Sequence, residues 1–167
     1  MQITYSTLRS PIGVVLIAST EHGVCAVKIG GSEGALVADL NSEFPAAAIH
    51  ADAKARSEWT RAIARHLRGD APSLDLPIDV RATAFQWKVW RELQRIPYGE
   101  TRAYAEVAKR IGKPTAVRAV ARACATNPVA LVVPCHRVVP GAGGTGGYRW
   151  GKERKARLLI AEKNRAV

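Results

Sequence analysis

Apolar residues change their spacing near residue 80, and the two spacings require different secondary structures. The segments 3–8, 14–18 and 24–29 are short apolar runs rich in β-forming residues, and turn sequences separate them. Runs of this length with intervening turns are typical of strands joined by hairpins. The first 30 residues therefore predict an antiparallel meander.

Helical spacing replaces this pattern further along the chain. In the first half it predicts helices over 35–44 and 54–68, followed by an extended linker. From Thr83 onward the predicted elements are helices alone. We therefore expect a small α/β domain, an antiparallel sheet plus helices, at residues 1–78. An all-α domain with a helix-turn-helix is expected at 79–167.

The helices of the second half have recognisable ends. Thr83-Ala-Phe-Gln86 fits a capping box, in which Thr83 caps the helix and the side chain of Gln86 reaches back to it. Further helices are predicted over 101–111, 115–125 and 152–165.

Two of these helices predict a DNA-binding motif. Helix 101–111 is followed by Gly112-Lys-Pro114 and then by helix 115–125, whose apolar stripe lies apart from Arg118 and Arg122. A helix, a glycine-containing turn and a second helix with arginines on its outer face fit a helix-turn-helix. An ordinary helical hairpin has a similar pattern, so the pattern by itself leaves both open.

Charge is distributed unevenly along the chain, whose formal net charge is +11 over 167 residues. Residues 1–80 carry seven Lys or Arg against nine Asp or Glu, and residues 81–167 carry eighteen against five. The second half therefore has a net charge of +13 and attracts a polyanion such as nucleic acid. Charge that serves only solubility is the alternative.

The three cysteines, Cys25, Cys124 and Cys135, are too few and too widely spaced for a disulfide framework. The sequence has no apolar run long enough to cross a membrane and no signal-peptide pattern. We therefore expect a cytoplasmic protein with no membrane partner. The four histidines are scattered and no Cys-x-x-Cys occurs, so we expect no metal site.

Cys135 and His136 form the strongest chemical signal in the sequence. The apolar run 129–133 is predicted to be extended and buried, and it leads directly to Cys135, His136 and Arg137. A thiolate is the nucleophilic form of cysteine, and a neighbouring His or Arg lowers the pKa of the thiol. We therefore interpret Cys135 as a nucleophile. Cys25 and Cys124 lie on apolar faces and are interpreted as core residues.

The pentapeptide Pro134-Cys-His-Arg-Val138 resembles the signature of the O6-alkylguanine-DNA alkyltransferases, the methylated-DNA–protein-cysteine methyltransferases. The resemblance covers nearly the whole chain. It is closest over 83–162, which is similar to the C-terminal domain of the bacterial Ada-type adaptive-response proteins. Further matching blocks are Thr83-Ala-Phe-Gln86, Gly99-Glu-Thr101, Ile111-Gly-Lys-Pro114 and Gly147-Tyr-Arg-Trp-Gly151.

The resemblance implies a DNA repair protein that flips O6-alkylguanine from the duplex and transfers the alkyl group irreversibly to its own cysteine, acting once per chain. O4-alkylthymine is a second candidate lesion. Cys135 would accept the alkyl group, and His136 would deprotonate it through a water. Glu162 would orient His136, and Tyr104 would donate a proton toward the leaving guanine.

The resemblance also implies which residues bind DNA and hold the flipped base. Arg118 would fill the gap in the base stack. Further DNA contacts are implied for Thr115, Ala119 and Arg122. Base-holding and supporting roles are implied for Asn127, Val138, Tyr148, Arg149 and Trp150.

The implied partner is double-stranded DNA carrying alkylated bases, bound by a monomer without a cofactor. Two alternatives stand beside this interpretation: a helix-turn-helix DNA-binding protein without transferase activity, and a Cys-His hydrolase. The Cys135-His136 pair and Glu162 disfavour the first, and the basic half-chain disfavours the second. Some relatives carry a small residue at the position of Trp150, so we expect this tryptophan to restrict bulky adducts.

Overall fold

The structure, a computed structural model, describes residues 1–52 and 58–165 and separates into two compact units. The first comprises Met1–Val80 together with Pro128–Val132, and the second comprises Arg81–Asn127 together with Val133–Val167. The chain therefore leaves the second unit once, over residues 128–132, and then returns to it.

The first unit contains a four-stranded sheet whose strands lie in the order Val24–Gly30, Gly13–Ser19, Gln2–Ser10 and Ala48–Ala51. Strands β1 (Gln2–Ser10), β2 (Gly13–Ser19) and β3 (Val24–Gly30) pair antiparallel, which confirms the predicted meander. Strand β4 (Ala48–Ala51) pairs parallel to β1 and is absent from the sequence-based prediction. Its residues are mostly exposed, so no apolar run marks it in the sequence.

The described residues of this unit include two helices. Helix α1 (Glu33–Glu43) begins after Ser32, whose side chain accepts a hydrogen bond from the backbone N–H of Ala35. Helix α2 (Glu58–Leu67) presents one buried face and one exposed face. Both helices agree with the prediction, although residues 54–57 of the predicted second helix lie outside the described residues.

The segment Pro128–Val132 joins the first unit beside β3. The N–H of Val27 donates to the carbonyl of Pro128 at 3.0 Å, and the N–H of Ala130 donates to the carbonyl of Val27 at 3.3 Å. The segment is buried, as predicted, but it is not continuously extended, because Leu131 has a φ of 70° and lies in a turn. The prediction of an extended run is wrong here because an apolar pattern indicates burial and not backbone direction.

The second unit is built mainly from helices. Helix α3 (Ala84–Leu93) begins with the predicted capping box: Thr83 Oγ1 accepts from the N–H of Gln86 at 3.1 Å, and Gln86 Oε1 accepts from the N–H of Thr83 at 2.9 Å. None of the helices within residues 1–52 and 58–165 combines the length and apolar character that a membrane span requires. The helices of this unit are α3 (Ala84–Leu93), α4 (Tyr104–Arg110), α5 (Val117–Ala125) and α6 (Lys152–Arg165).

A short sheet interrupts this helical pattern. Strand β5 (Arg102–Ala103) pairs parallel with strand β6 (Val138–Val139), so helix α4 begins at Tyr104 and not at Thr101. The prediction of an all-α second domain is wrong at this point. A two-residue pairing between distant segments leaves no periodic pattern in a sequence.

Helix α5 has the two faces that its sequence predicts. Val120 and Cys124 are buried, whereas Arg118 and Arg122 are exposed. The indole N–H of Trp90 on α3 donates to the carbonyl of Ala123 at 2.9 Å, which anchors the buried face to α3. The arginine-bearing face is therefore left for solvent or a partner.

Candidate active site

Cys135 lies in a one-turn 3-10 helix, Cys135–Arg137, within the second unit. Its Sγ accepts a hydrogen bond from Asn127 Nδ2 at 3.3 Å, and the same amide nitrogen donates to the carbonyl of Val133 at 2.9 Å. Asn127 is fully buried. It therefore holds the backbone that leads into the turn and also supplies a donor to the sulfur.

Burial raises the pKa of the Cys135 thiol, while the hydrogen bond from Asn127 and the charge of Lys155 act in the opposite direction. The guanidinium of Arg137 is bound to Glu162 and to the carbonyl of Ile96. The resting form is a neutral thiol, and a base is needed to make it nucleophilic.

His136 and Glu162 form a buried, hydrogen-bonded pair. His136 Nε2 lies 2.8 Å from Glu162 Oε1, and both side chains are buried. Burial lowers the pKa of His136, which favours neutral imidazole. With the carboxylate accepting the Nε2 proton, the lone pair is on Nδ1. Nδ1 has no hydrogen-bond partner among the described residues, so it can accept a proton.

Arg137 holds the carboxylate of Glu162 from the other side. Its Nε donates to Oε2 at 2.9 Å and its Nη2 donates to Oε1 at 2.9 Å. Burial alone would raise the pKa of Glu162, but the hydrogen bonds from His136 and Arg137 outweigh it and lower the pKa to about 2. Glu162 is therefore ionised and stabilises positive charge on His136.

Tyr104, at the start of α4, has its hydroxyl beside the glycine-rich loop 141–147. A Cβ placed on Gly146 would lie 3.5 Å from that hydroxyl oxygen. Burial, followed by negative charge on the nearby sulfurs of Cys124 and Cys135, raises the pKa of Tyr104 to about 12. The phenol therefore keeps its proton at neutral pH and can donate it or a hydrogen bond.

The segment 148–150 places two aromatic rings beside His136. The ring centroids of Tyr148 and His136 are 6.5 Å apart, those of Tyr148 and Trp150 are 5.3 Å apart, and both pairs are edge-on. The hydroxyl of Tyr148 is buried without a hydrogen-bond partner among the described residues. Arg149 donates to the carbonyl of Asn127 at 3.1 Å and its guanidinium lies 5.3 Å from the Trp150 ring centroid.

The expected DNA contacts are grouped on α5 and the turn before it. Thr115, Arg118, Ala119 and Arg122 are all exposed. Val138 is buried and its carbonyl accepts a hydrogen bond from Lys155 Nζ at 2.7 Å.

No group of three or more His, Cys, Asp or Glu side chains in the described part of the chain is arranged to hold a metal ion.

Lys155 and the anchoring role of Arg137 were missed at the level of sequence. Lys155 is fully buried, and it shares one face of α6 with Leu158 and Glu162. A lysine three and seven residues before other members of a buried helical face is the signal that could have identified it.

The chain is similar to known proteins over most of its length. Residues 84–164 match the family profile described as 6-O-methylguanine DNA methyltransferase, DNA binding domain. The chain is 39% identical over 164 residues to the methylated-DNA–protein-cysteine methyltransferase of Mycobacterium tuberculosis (strain ATCC 25618 / H37Rv), covering 98% of this chain and 94% of the relative. A crystal structure of Mycobacterium tuberculosis OGT in complex with DNA has a TM-score of 0.80 at 35% identity, covering 99% of this chain and 94% of that one.

A longer relative is also similar. The chain is 45% identical over 163 residues to the bifunctional transcriptional activator/DNA repair enzyme Ada of Escherichia coli (strain K12), which covers 97% of this chain. The matched part is 46% of Ada, so the chain spans about half the length of that relative.

Proposed function

This chain belongs to the methylated-DNA–protein-cysteine methyltransferase family, and from that premise we propose that it repairs DNA by taking the alkyl group of O6-alkylguanine onto Cys135. One observation supports the assignment of this activity to particular residues. A buried thiol with an amide donor lies next in sequence to a histidine whose Nε2 is bound to an ionised carboxylate. That is the arrangement of nucleophile, base and orienting acid that an activated thiol needs.

The chemistry follows from the proton positions. His136 Nδ1 takes the thiol proton of Cys135 through a water, and Glu162 stabilises the imidazolium that results. The thiolate then attacks the alkyl carbon, so that a sulfur–carbon bond forms and the bond from carbon to guanine O6 breaks. Tyr104 donates a proton toward the leaving base and regains one by way of His136, so overall the thiol proton replaces the alkyl group on guanine.

DNA binds the second unit on the exposed face of α5. We propose that α4, the turn 111–116 and α5 form a helix-turn-helix, with Thr115, Arg118, Ala119 and Arg122 facing the duplex in its minor groove. A base inside the stack cannot reach a buried thiol, so the damaged guanine is flipped out and Arg118 fills its place. Tyr148, Arg149, Trp150 and the Val138 backbone then enclose the base. We further propose a cytoplasmic monomer.

The decisive test is the mass of the intact protein after incubation with duplex DNA containing O6-methylguanine. The wild-type protein should gain one methyl group, located on Cys135 by peptide mapping. Cys135→Ala should gain none while its affinity for the duplex stays within about twofold, because the DNA contacts are on α5. Cys25→Ala, a buried cysteine of the first unit, is the matched control and should react normally.

Other outcomes would reject the proposal. Duplex binding without any change in mass would favour a DNA-binding protein that lacks transferase activity. Methyl transfer to a cysteine other than Cys135 would show that the acceptor is assigned incorrectly.

A further inference from the structure

Arg149 is an exposed cation near the candidate acceptor, and it has no carboxylate partner within the described residues. Its Nη1 donates to the carbonyl of Asn127 at 3.1 Å, and its guanidinium lies 5.3 Å from the ring centroid of Trp150. The hydrogen bond uses one of the five N–H donors of a guanidinium. The group can therefore bind a further acceptor without leaving its present position.

The contacts of Arg149 place its charge close to the sulfur of Cys135. The carbonyl that Arg149 binds belongs to Asn127, and the side chain of Asn127 donates from Nδ2 to Cys135 Sγ at 3.3 Å. Burial raises the pKa of Cys135, and the charge of Arg149 is one of the influences that lower it. Arg149 therefore lies where it can act on a group that is bonded to this sulfur or is about to be.

The buried carboxylate of the site does not neutralise Arg149. Glu162 Oε1 lies 2.8 Å from His136 Nε2 and accepts from Arg137 Nη2, and its Oε2 accepts from Arg137 Nε. Glu162 is thus already bound to a histidine and to a different arginine. A guanidinium with spare donors and no anion suits a carboxylate that the substrate itself brings.

These observations support a preference among alkyl groups, which rests on the function proposed above. We propose that Arg149 is a specificity-determining residue that favours O6-alkylguanines whose alkyl group carries a carboxylate, such as O6-carboxymethylguanine. Its guanidinium binds that carboxylate while the thiolate of Cys135 attacks the adjacent carbon. A carboxymethyl group is far smaller than a benzyl group, so it is compatible with the size limit expected of Trp150.

The transfer follows the same balance as transfer of a methyl group. A bond forms between the sulfur of Cys135 and the methylene carbon, and the bond from that carbon to guanine O6 breaks. The thiol proton replaces the alkyl group on guanine, and the carboxylate keeps its charge throughout. The product is S-carboxymethylcysteine, whose carboxylate stays within reach of Arg149.

The test compares two alkyl groups of nearly equal size and different charge. Single-turnover transfer is measured from one duplex that carries either O6-carboxymethylguanine or the neutral O6-carbamoylmethylguanine. The ratio of the carboxymethyl rate to the carbamoylmethyl rate should fall about threefold to fivefold in Arg149→Gln. It should fall less in Arg149→Lys, which keeps the charge but loses the planar fork. A general change in the reactivity of Cys135 affects both substrates alike and cancels in the ratio.

Arg91→Gln is the matched control, because it also removes an exposed arginine of the second unit that lies over a tryptophan. The guanidinium of Arg91 is 5.8 Å from the ring centroid of Trp87. The net charge of the protein changes equally in both variants, and the ratio should stay at the wild-type value in Arg91→Gln. An unchanged ratio in Arg149→Gln would overturn the proposal. An equal fall in both variants would also overturn it, because net charge would then explain the preference.

A second measurement decides the role of Arg149 without DNA. Iodoacetate and iodoacetamide deliver the same two groups to Cys135, and peptide mapping gives the rate at which each reagent modifies it. The ratio of the iodoacetate rate to the iodoacetamide rate should fall about threefold to fivefold in Arg149→Gln and stay constant in Arg91→Gln. If the wild-type protein takes no alkyl group from any duplex, the proposed function fails. The reagent ratio still decides whether Arg149 selects a carboxylate at Cys135, and equal ratios in the wild-type protein and Arg149→Gln would reject that selection.

Discussion

At the scale of single residues, the site depends on how a buried carboxylate is kept ionised. Glu162 receives hydrogen bonds from two side chains of the 3-10 turn, His136 and Arg137. Arg137 in turn donates to the carbonyl of Ile96. The same contacts that orient His136 therefore also join α6 to the turn that carries Cys135.

Acidification should destabilise the protein through this cluster. The pKa of Glu162 falls from an ordinary value of 4.5 to about 2 on folding, so its contribution is fully present above pH 4.5 and is lost as the pH falls toward 2. His136 also lowers the stability in acid. Its pKa in the folded protein is below the ordinary value of 6.5, so just below that pH the unfolded chain binds a proton at this histidine and the folded protein does not. The shift at Glu162 corresponds to on the order of 3 kcal/mol of unfolding free energy.

Urea unfolding between pH 3 and pH 7 measures this effect. Glu162→Gln should have a flatter dependence on pH and a lower stability at pH 7, because Arg137 is left buried without its carboxylate. Glu100→Gln, an exposed carboxylate paired with Arg102, should keep the wild-type dependence. Equal pH slopes in the wild-type protein and Glu162→Gln would contradict this explanation.

Trp150 should limit the size of the alkyl group. Its ring is buried and packs edge-on against Tyr148, so it stiffens the segment that follows the glycine-rich loop. We expect slow reaction with O6-benzylguanine relative to methylated DNA. Trp150→Gly should raise the ratio of the benzyl rate to the methyl rate by about tenfold or more, even though the loss of a buried ring lowers stability.

The ratio of the two rates separates gating from simple packing. Trp87→Gly, which removes a half-buried tryptophan of α3, should leave the ratio unchanged. If both rates fall together in Trp150→Gly, the tryptophan only packs the segment against its surroundings.

At the scale of secondary structure, α5 has one buried face and one exposed face. Its buried face carries Val120 and Cys124 and is fixed to α3 by the indole of Trp90, whereas its outer face carries Arg118 and Arg122. The side chain of Gln86 in the α3 capping box also donates to Thr126 Oγ1 at 3.2 Å, just beyond the end of α5. The orientation of α5 is thus set by hydrogen bonds on its buried side and near its end. The exposed face does not contribute to these bonds.

Arg118→Ala should therefore slow methyl transfer from duplex DNA much more than reaction with free O6-methylguanine. Loss of its stacking or cation–π contact in the flipped complex should cost about 1–3 kcal/mol. Single-turnover rates on the two substrates measure the difference. Arg68→Ala, which removes an exposed arginine of the first unit, should alter neither rate. Equal slowing on both substrates would place Arg118 in the chemistry and not in DNA recognition.

At the scale of the whole molecule, charge and reactivity are assigned to the same half of the chain. Residues 1–80 have a net charge of −2 and residues 81–167 have a net charge of +13. Attraction to DNA is therefore concentrated in the half that contains Cys135, the proposed acceptor, and it should weaken as salt is added.

Each molecule should accept one methyl group and then stop. An S-methyl thioether is a poor leaving group, and a Cys135 sulfur that already carries a methyl group no longer has a thiol proton to give up. With methylated duplex in tenfold excess, mass spectrometry should show a plateau at one methyl group per chain, and the amount of repaired DNA should equal the amount of protein. Continued repair beyond one equivalent by the purified protein would contradict this.

The sequence by itself determined the local structure. Three features depend on residues that are close in the sequence and could therefore be predicted from it. They are the hairpin spacing in the first 30 residues, the capping box at Thr83 and Gln86, and the two faces of α5. The Cys135-His136 pair was also visible, because both groups are adjacent in the chain. The family resemblance then added Glu162, which the structure places 2.8 Å from His136.

Only the tertiary structure decided the features that join distant segments. The parallel pairing of Arg102–Ala103 with Val138–Val139 and the turn at Leu131 involve too few residues to produce a period. The neutral state of the Cys135 thiol and the anchoring of Glu162 by Arg137 depend on burial and on contacts made in space. A pKa is set by the groups that surround a side chain in three dimensions, and those groups are known only when the chain has folded.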